Sequence, residues 1–348
     1  MKKIIPLIII IIIMIMNMTA CSKTPTIKPY SKEGYALGTI ISVTIYSDKK
    51  VEDVFFDELF AEMDKIEKKM TINEAVNSEV EQINEAAGKD FVKVSDETYF
   101  VIKESVDFTK SMDGKFDLTI GPLVKLWNIG FDNAKLPKDI DIEKAVALLG
   151  VDEVTLNEMD HSVKLERAGM MIDLGGIAKG YAADRLGELI KNAGYNSALI
   201  NLSSSILCVG TKPENLPFKV GIRDPFKAAG SYVGVVSVEN NTVDTSGTYE
   251  RFIVEDGIIY HHILDPATGY AANNELLSIS IITPKCIDSD ALSTGVFIMG
   301  LEEGYKYIES LDDVEAIFVT GDKEIYITDG AKALFKLTAE EYKIVEMN

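Results

Sequence analysis

The stretch MMIDLGGIAKGYAADRL (residues 170–186) reads as a strand, a glycine-rich turn and a helix, and a further strand follows in SALINL (197–202). Lys179 would then stand in the first turn of the helix, facing the positive end of the backbone dipole. That position is unfavourable for a cation unless an anion lies nearby. Gly175 and Gly176 would let backbone approach a ligand closely, and the helix amides could face a phosphate. The stretch matches neither the phosphate-loop nor the dinucleotide fingerprint. A tight strand-to-helix turn with a solvent-facing lysine accounts for the same residues equally well.

Before this unit, GTIISVTIYS (38–47) alternates and is rich in β-branched residues, which predicts a strand. VEDVFFDELFAEMDKIEKKM (51–70) and DETYFVIKESVDFTKSM (96–112) carry apolar residues at helical spacing. Another helix is entered through Gly121-Pro122, and DIEKAVALLG (141–150) reads as a short helix closed by Gly150. VTLNEMDHSVKL (154–165) predicts a hairpin. Beyond residue 202 the pattern is mostly strands, interrupted by a helix in DSDALSTGVFIMG (288–300). Helices grouped early and strands later predict an α+β fold with mixed, largely antiparallel sheets and packed helices.

The chain opens with two lysines, an apolar run from Ile4 to Met16, and Met18-Thr19-Ala20-Cys21. This is the layout of an export signal, and the cysteine after small residues resembles a bacterial lipoprotein signal. The apolar run is shorter than the ~20 residues that cross a bilayer. Residues 1–20 are therefore expected to be a signal peptide, Cys21 the lipid-bearing first residue, 21–33 a flexible tether, and 34–348 the folded domain. The protein would sit lipid-anchored on the extracytoplasmic face of the cell membrane. A formal charge of −20 argues against a nucleic-acid partner and against electrostatic docking on anionic lipid. Only Cys208 and Cys286 remain beside Cys21, and the only histidines are His161, His261 and His262. A metal would accordingly be a hard ion held by oxygen.

Several stretches could carry chemistry. Asp290 and Thr294 are four apart and share one helix face, a carboxylate and a hydroxyl suited to magnesium. Alternatively an aspartate caps the helix and Thr294 bonds back to a carbonyl. YHHILDPATG (260–269) places His262 and Asp265 before an Asp-Pro-x-x-Gly turn. Either one moves a proton there, or the residues only build the turn. GKFDLTIGPLVKLW (114–127) could line a pocket with Asp117 on a ligand edge, or be structural. Ser246 in DTSGTYER (244–251) has no partner histidine or acid assignable from sequence. Its small residues fit a close backbone approach better than a nucleophile.

Together and in this order, Gly38-Thr39, NSEVEQIN (77–84), GKFDLTIGPLVKLW, IDLGGIAKGYAAD, VGIRDP (220–225), TSGTYER, HHILDPATG and DALSTGVFIMG resemble the ApbE family of FAD:protein FMN transferases. The resemblance implies an ApbE-like, T-fold-like domain that binds FAD and magnesium. It would move FMN onto a threonine of a partner flavoprotein, such as a subunit of an ion-pumping redox complex, and release AMP. Carried over residue by residue, it implies metal ligation by Asp290, Thr294 and the Gly176 carbonyl. FAD contacts would come from Leu37, Lys115, Phe116, Asp117, Asp173, Lys179 and Leu264, with His262 and Asp265 as catalytic candidates. The chain departs from the family in reading Ser203-Ser204-Ser205 where glycines are usual, and Ile72-Asn73 where an aromatic residue is common. Hydrolysis of FAD to FMN and AMP at the same site, or flavin binding without catalysis, are the competing functions.

Overall fold

The computed structural model describes residues 26–73 and 77–347. The expected signal peptide and the expected lipidation at Cys21 lie outside the described residues. In chain order the elements are β1 (Lys28–Ala36), β2 (Thr39–Ser47), α1 (Asp53–Met70), α2 (Glu79–Glu85), β3 (Val92–Lys93), α3 (Asp96–Ser111), α4 (Gly121–Trp127) and α5 (Asp139–Val146). Then come β4 (Val154–Asn157), β5 (Ser162–Leu165), α6 (Ala178–Asn192), β6 (Ser197–Leu202), β7 (Ser205–Gly210), β8 (Phe218–Arg223), β9 (Tyr232–Val238) and β10 (Thr242–Gly247). The last part holds β11 (Phe252–Glu255), β12 (Ile258–His261), β13 (Leu276–Thr283), α7 (Cys286–Met299), α8 (Leu301–Glu309), β14 (Glu315–Thr320), β15 (Glu324–Ile327), β16 (Phe335–Leu337) and β17 (Lys343–Ile344).

A nine-stranded sheet in the order β1-β2-β6-β7-β10-β13-β14-β15-β17 is the spine. Its β15–β17 pair is parallel, and its other pairs are antiparallel. Alternation along the central strands supplies two apolar faces. Ile200, Ile281 and Phe318 join the main core with Leu59, Leu186 and Val296 of α1, α6 and α7. Ile282 and Ile317 turn the other way, towards Val220, Val236 and Phe335 of the small β16-β9-β8 sheet. The main core is legible in α1, where Phe56, Leu59, Met63, Ile66 and Met70 are buried at three- and four-residue spacing. A third cluster surrounds the fully buried Trp127, whose Nε1–H donates to the Gly269 carbonyl at 2.8 Å and ties α4 to the Asp-Pro-x-x-Gly turn.

Three expectations are corrected. The tether does not run to residue 33, because β1 pairs with β2 from Lys28 onward. Its charged side chains mask a period-2 pattern, and Ser31 and Thr44 join their hydroxyls across the pair at 2.8 Å. MMIDL forms no strand beyond an isolated bridge between Met171 and Ile120. A side-chain amide replaces the missing neighbour: Ile172 N–H donates to Asn84 Oδ1 at 2.8 Å, and Asn84 Nδ2 donates to the Ile172 carbonyl at 3.0 Å. Finally, α5 ends at Val146 with Ala147 as its cap, so Gly150 precedes a short 3-10 turn instead of closing the helix.

Candidate functional site

The α7 helix is buried on nearly every side, including Ser289, Asp290 and Ser293. Buried polar groups must find partners, and two neighbouring elements supply them. From β10, Thr242 Oγ1 donates to Ser289 Oγ at 3.0 Å, and Ser246 Oγ meets Ser293 Oγ at 2.9 Å. From the start of α6, Lys179 Nζ donates to Asp290 Oδ1 at 3.0 Å, and the Gly180 N–H donates to Asp290 Oδ2 at 2.9 Å. The lysine in the unfavourable first turn thus has its anion within the protein. Burial alone would lower its proton affinity, but the carboxylates of Asp290 and then Asp244 outweigh that and hold Lys179 above the ordinary lysine range. In Asp244, burial and then the Asp290 charge push the acid up to about 7, with Lys179 opposing.

The approach of α6 to α7 requires Gly180. A Cβ there would lie 2.2 Å from the Cys286 carbonyl oxygen and 2.6 Å from its carbon. The α7 N-terminus is capped from α6 as well, by Asp184, whose two oxygens accept the Cys286 and Ile287 N–H groups at 2.9 Å each. Burial outweighs those bonds and raises the Asp184 acid to about 6. Its folded-state pKa therefore exceeds the ordinary aspartate value of about 3.9. The stability this group contributes is complete below that value and is lost as pH rises through about 6. Relative to wild type, Asp184→Asn should gain on the order of 2–3 kcal/mol between pH 4 and 7, superimposed on a constant loss from one missing acceptor. Urea denaturation across that range checks this, and parallel pH profiles for the two proteins would refute it.

Gly175 and Gly176 do not use positive φ angles, since neither is among the residues in that region. Their small size is used within the protein: a Cβ on Gly175 would meet Asp173 Oδ1 at 2.8 Å, and one on Gly176 would meet Phe116 Cε2 at 3.2 Å and Thr294 Oγ1 at 3.6 Å. Gly176, Thr294 and Phe116 are thereby brought together, one turn of α7 from Asp290. Asp173 Oδ1 accepts the Gly175 N–H at 2.8 Å, and the Asp173 N–H donates to the Leu118 carbonyl at 2.8 Å. Burial raises its acid, against that bond and the Lys125 charge. Asp117 Oδ1 accepts both the N–H and the hydroxyl of Thr119 at 2.7 Å, and burial raises this acid too. Lys115 precedes them, its N–H on the Met112 carbonyl at 3.0 Å.

A second group of candidates meets at the β11–β12 hairpin. The His262 N–H donates to the Arg251 carbonyl at 3.0 Å, and the Arg251 guanidinium reaches the Gly38 carbonyl at 3.5 Å. Leu37, beside it in the β1–β2 turn, has φ 52° and donates its N–H to Glu67 Oε2 at 2.8 Å. His262 is exposed. Desolvation of the ring by surrounding protein, then the charges of Arg251 and His261, hold its imidazole below the ordinary histidine range, with Lys179 adding to the effect and the ring's contact with the Arg251 carbonyl at 3.3 Å opposing it. Leu264 is buried in the Trp127 cluster. Asp265 serves the turn: its Oδ1 accepts the Ala267 N–H at 2.9 Å and its carbonyl accepts the Gly269 N–H at 2.7 Å. Ser203 takes the left-handed conformation, φ 70°, that glycine would favour, with its N–H on Asn201 Oδ1 at 2.9 Å.

Sequence reasoning missed Asp244, Gly180, Asp184 and Arg251. For Asp244 a signal existed, because strand alternation places it on the same face as Ser246. The others depend on the meeting of α6 with α7 and on the course of a loop.

The ApbE family profile matches residues 37–318. A FAD:protein FMN transferase of Klebsiella pneumoniae (strain 342) is 35% identical over 317 residues, 91% of this chain and 97% of that protein. One from Treponema pallidum (strain Nichols) is 32% identical over 336 residues, 92% of each chain. The crystal structure of the ApbE protein from Thermotoga maritima superposes with a TM-score of 0.81 at 30% identity, covering 88% of this chain and 99% of that one. The flavin transferase ApbE from Vibrio cholerae shares the fold, with a TM-score of 0.79 at 22% identity over 89% of this chain and all of that one. With the motifs of the opening stretch assembled around Asp290, the family profile spanning residues 37–318 and relatives matched over 91–92% of its length, the chain belongs to the ApbE family.

Proposed function

We propose that this chain is a FAD:protein FMN transferase that moves the FMN half of FAD onto a threonine of a partner flavoprotein and releases AMP. The observation that carries this reading is the junction of α6 and α7, where Lys179, Asp290, Thr294 and Gly176 converge. A divalent cation suits the donors present. Asp290, Thr294 and the Gly176 carbonyl are hard oxygens, and Asp290 Oδ1 already holds a cationic group. Magnesium bound there would neutralise charge on the pyrophosphate oxygens.

The residues of this chain divide the remaining work. Lys179 presents a positive charge to the phosphates, while Asp117, Asp173, Phe116, Lys115, Leu37 and Leu264 form the surroundings of the nucleotide. The acceptor oxygen bonds to the FMN phosphorus, the bond from that phosphorus to the bridging oxygen breaks, and AMP leaves with the bridging oxygen. The acceptor hydroxyl must lose its proton in that step. His262 is the better recipient: its lowered proton affinity keeps it neutral at pH 7, whereas Asp265 is engaged in its turn. Lipid anchorage through Cys21 would place this reaction on the extracytoplasmic face of the membrane, beside redox-complex subunits that carry flavin.

Incubating the purified chain with FAD, Mg2+ and a candidate acceptor tests the proposal. Covalent FMN on the acceptor with equimolar AMP is the expected result. Free FMN and AMP with an unlabelled acceptor would replace transfer by hydrolysis, and unchanged bound FAD would refute catalysis. Lys179→Met should slow AMP release by about 100-fold, the effect of removing one preorganised charge from a phosphate site. Unchanged kinetics would confine Lys179 to its structural pairing with Asp290.

A further inference from the structure

Side chains alternate along a strand, so Thr242, Asp244 and Ser246 of β10 share one face. Thr242 is bonded to Ser289 and Ser246 to Ser293, one helical turn apart on α7. Asp244 is thereby held against α7 between these two contacts, beside the turn that carries Asp290. It is 1% exposed, and its Oδ2 has no hydrogen-bond partner. Ser205, opposite it on β7, has a buried hydroxyl without a well-formed hydrogen bond, and the Ser205 and Ser293 hydroxyls only weakly favour the Asp244 carboxylate, whose acid stays raised to about 7. The charges that act on Asp244 are those of Asp290 and Lys179. The cluster therefore holds two buried carboxylates and one ammonium, and the ammonium is bonded to Asp290.

This inference rests on the metal reading above. A divalent cation that ligates Asp290 Oδ1 competes with the ammonium already on that oxygen, because two cations on one carboxylate oxygen repel each other strongly at low dielectric. Expelling Lys179 to solvent would remove the charge that the phosphates need. We propose that Asp244 is the second seat of the Lys179 ammonium, a positioning residue whose unpartnered Oδ2 receives it when Asp290 turns to the cation. Asp290 then serves the metal, Asp244 serves Lys179, and both positive charges stay in the site. Without the cation, Asp244 is a buried acid with an unmet oxygen and lowers stability.

The experiment is calorimetric titration of the full chain with Mg2+, alongside thermal unfolding without metal. Asp244→Asn is expected to bind Mg2+ at least about tenfold more weakly, while its metal-free Tm equals or exceeds that of wild type. In a Lys179→Met background, adding Asp244→Asn should leave Mg2+ affinity unchanged, since no ammonium needs a seat. Wild-type affinity in Asp244→Asn, while Asp290→Asn loses binding, would overturn the proposal and leave the metal reading intact. A lowered metal-free Tm would assign Asp244 a structural role, and a loss that persists without Lys179 would make it a direct ligand; either overturns the seat. Absence of Mg2+ binding by wild type would overturn the metal reading and this inference with it.

Discussion

Asp290→Asn is expected to slow FAD turnover by about 1000-fold or more while leaving the chain folded. The carboxylate links α6 to α7 and is a proposed ligand of the cation. Its Oδ1 holds Lys179 and its Oδ2 holds the Gly180 N–H. The amide can still accept from Gly180, so the packing of the two helices survives. It cannot offer a negative oxygen to a cation, and its NH2 group faces the ammonium instead of pairing with it. Loss of Lewis-acid stabilisation on a pyrophosphate costs several kcal/mol of transition-state binding, and each ~1.4 kcal/mol is a factor of ten. Asp290 is 2% exposed, but the Lys179 side chain keeps 24% of its surface exposed, so its unpaired charge reaches solvent and the fold survives. AMP release reports activity, and circular dichroism with thermal unfolding reports the fold. Turnover within about tenfold of wild type would remove Asp290 from the metal centre.

The largest stability effect is expected from Gly180→Ala. In an exposed helix interior this change would stabilise by roughly 1 kcal/mol. Here the new methyl would sit 2.2 Å from the Cys286 carbonyl oxygen and 2.7 Å from the Ile287 Cα. Both are backbone atoms at the capped start of α7, so no side-chain rotation relieves the clash and the helices must move apart. Overpacking of this kind costs about 1–3 kcal/mol and more where the obstacle is rigid. We expect a net loss of at least about 3 kcal/mol in urea unfolding, with turnover falling because Lys179 and Asp290 separate with their helices. Gly321 is the control: nothing lies within 4 Å of a Cβ there, and Gly321→Ala should be close to neutral. Equal effects at the two positions would show that the helix crossing is looser than the geometry implies.

How much of this was legible beforehand depends on the range of the interaction concerned. The period of α1 and the alternation of β2 announce themselves because each is set by its own residues against a single apolar face. The joint occurrence of short motifs was equally legible, and it led to Asp290, Thr294, Gly176 and Lys179 before any geometry was known. Misreadings fell where a distant group substituted for a local rule. MMIDL reads as a strand ahead of the glycine-rich turn, yet Asn84 supplies the hydrogen bonds that a neighbouring strand would have made. Residues 28–33 looked like a tether because their side chains are polar, yet their backbone is paired throughout with β2.

The opening stretch divides in the same way. By itself the sequence determined that a helix begins near Lys179, that a Gly-Gly turn precedes it, and that the family motif runs through it. It could not say which anion answers the lysine, since Asp290 lies 111 positions further along the chain. Nor could it show that Gly175 and Gly176 make room for Asp173, Phe116 and Thr294, or that Asp244 lies under the same helix. Those facts follow from the packing of α7 between α6 and β10. Once a helix carrying Ser289, Asp290 and Ser293 is buried, each polar group must be met by whatever the fold brings beside it, and only the tertiary structure decides what that is.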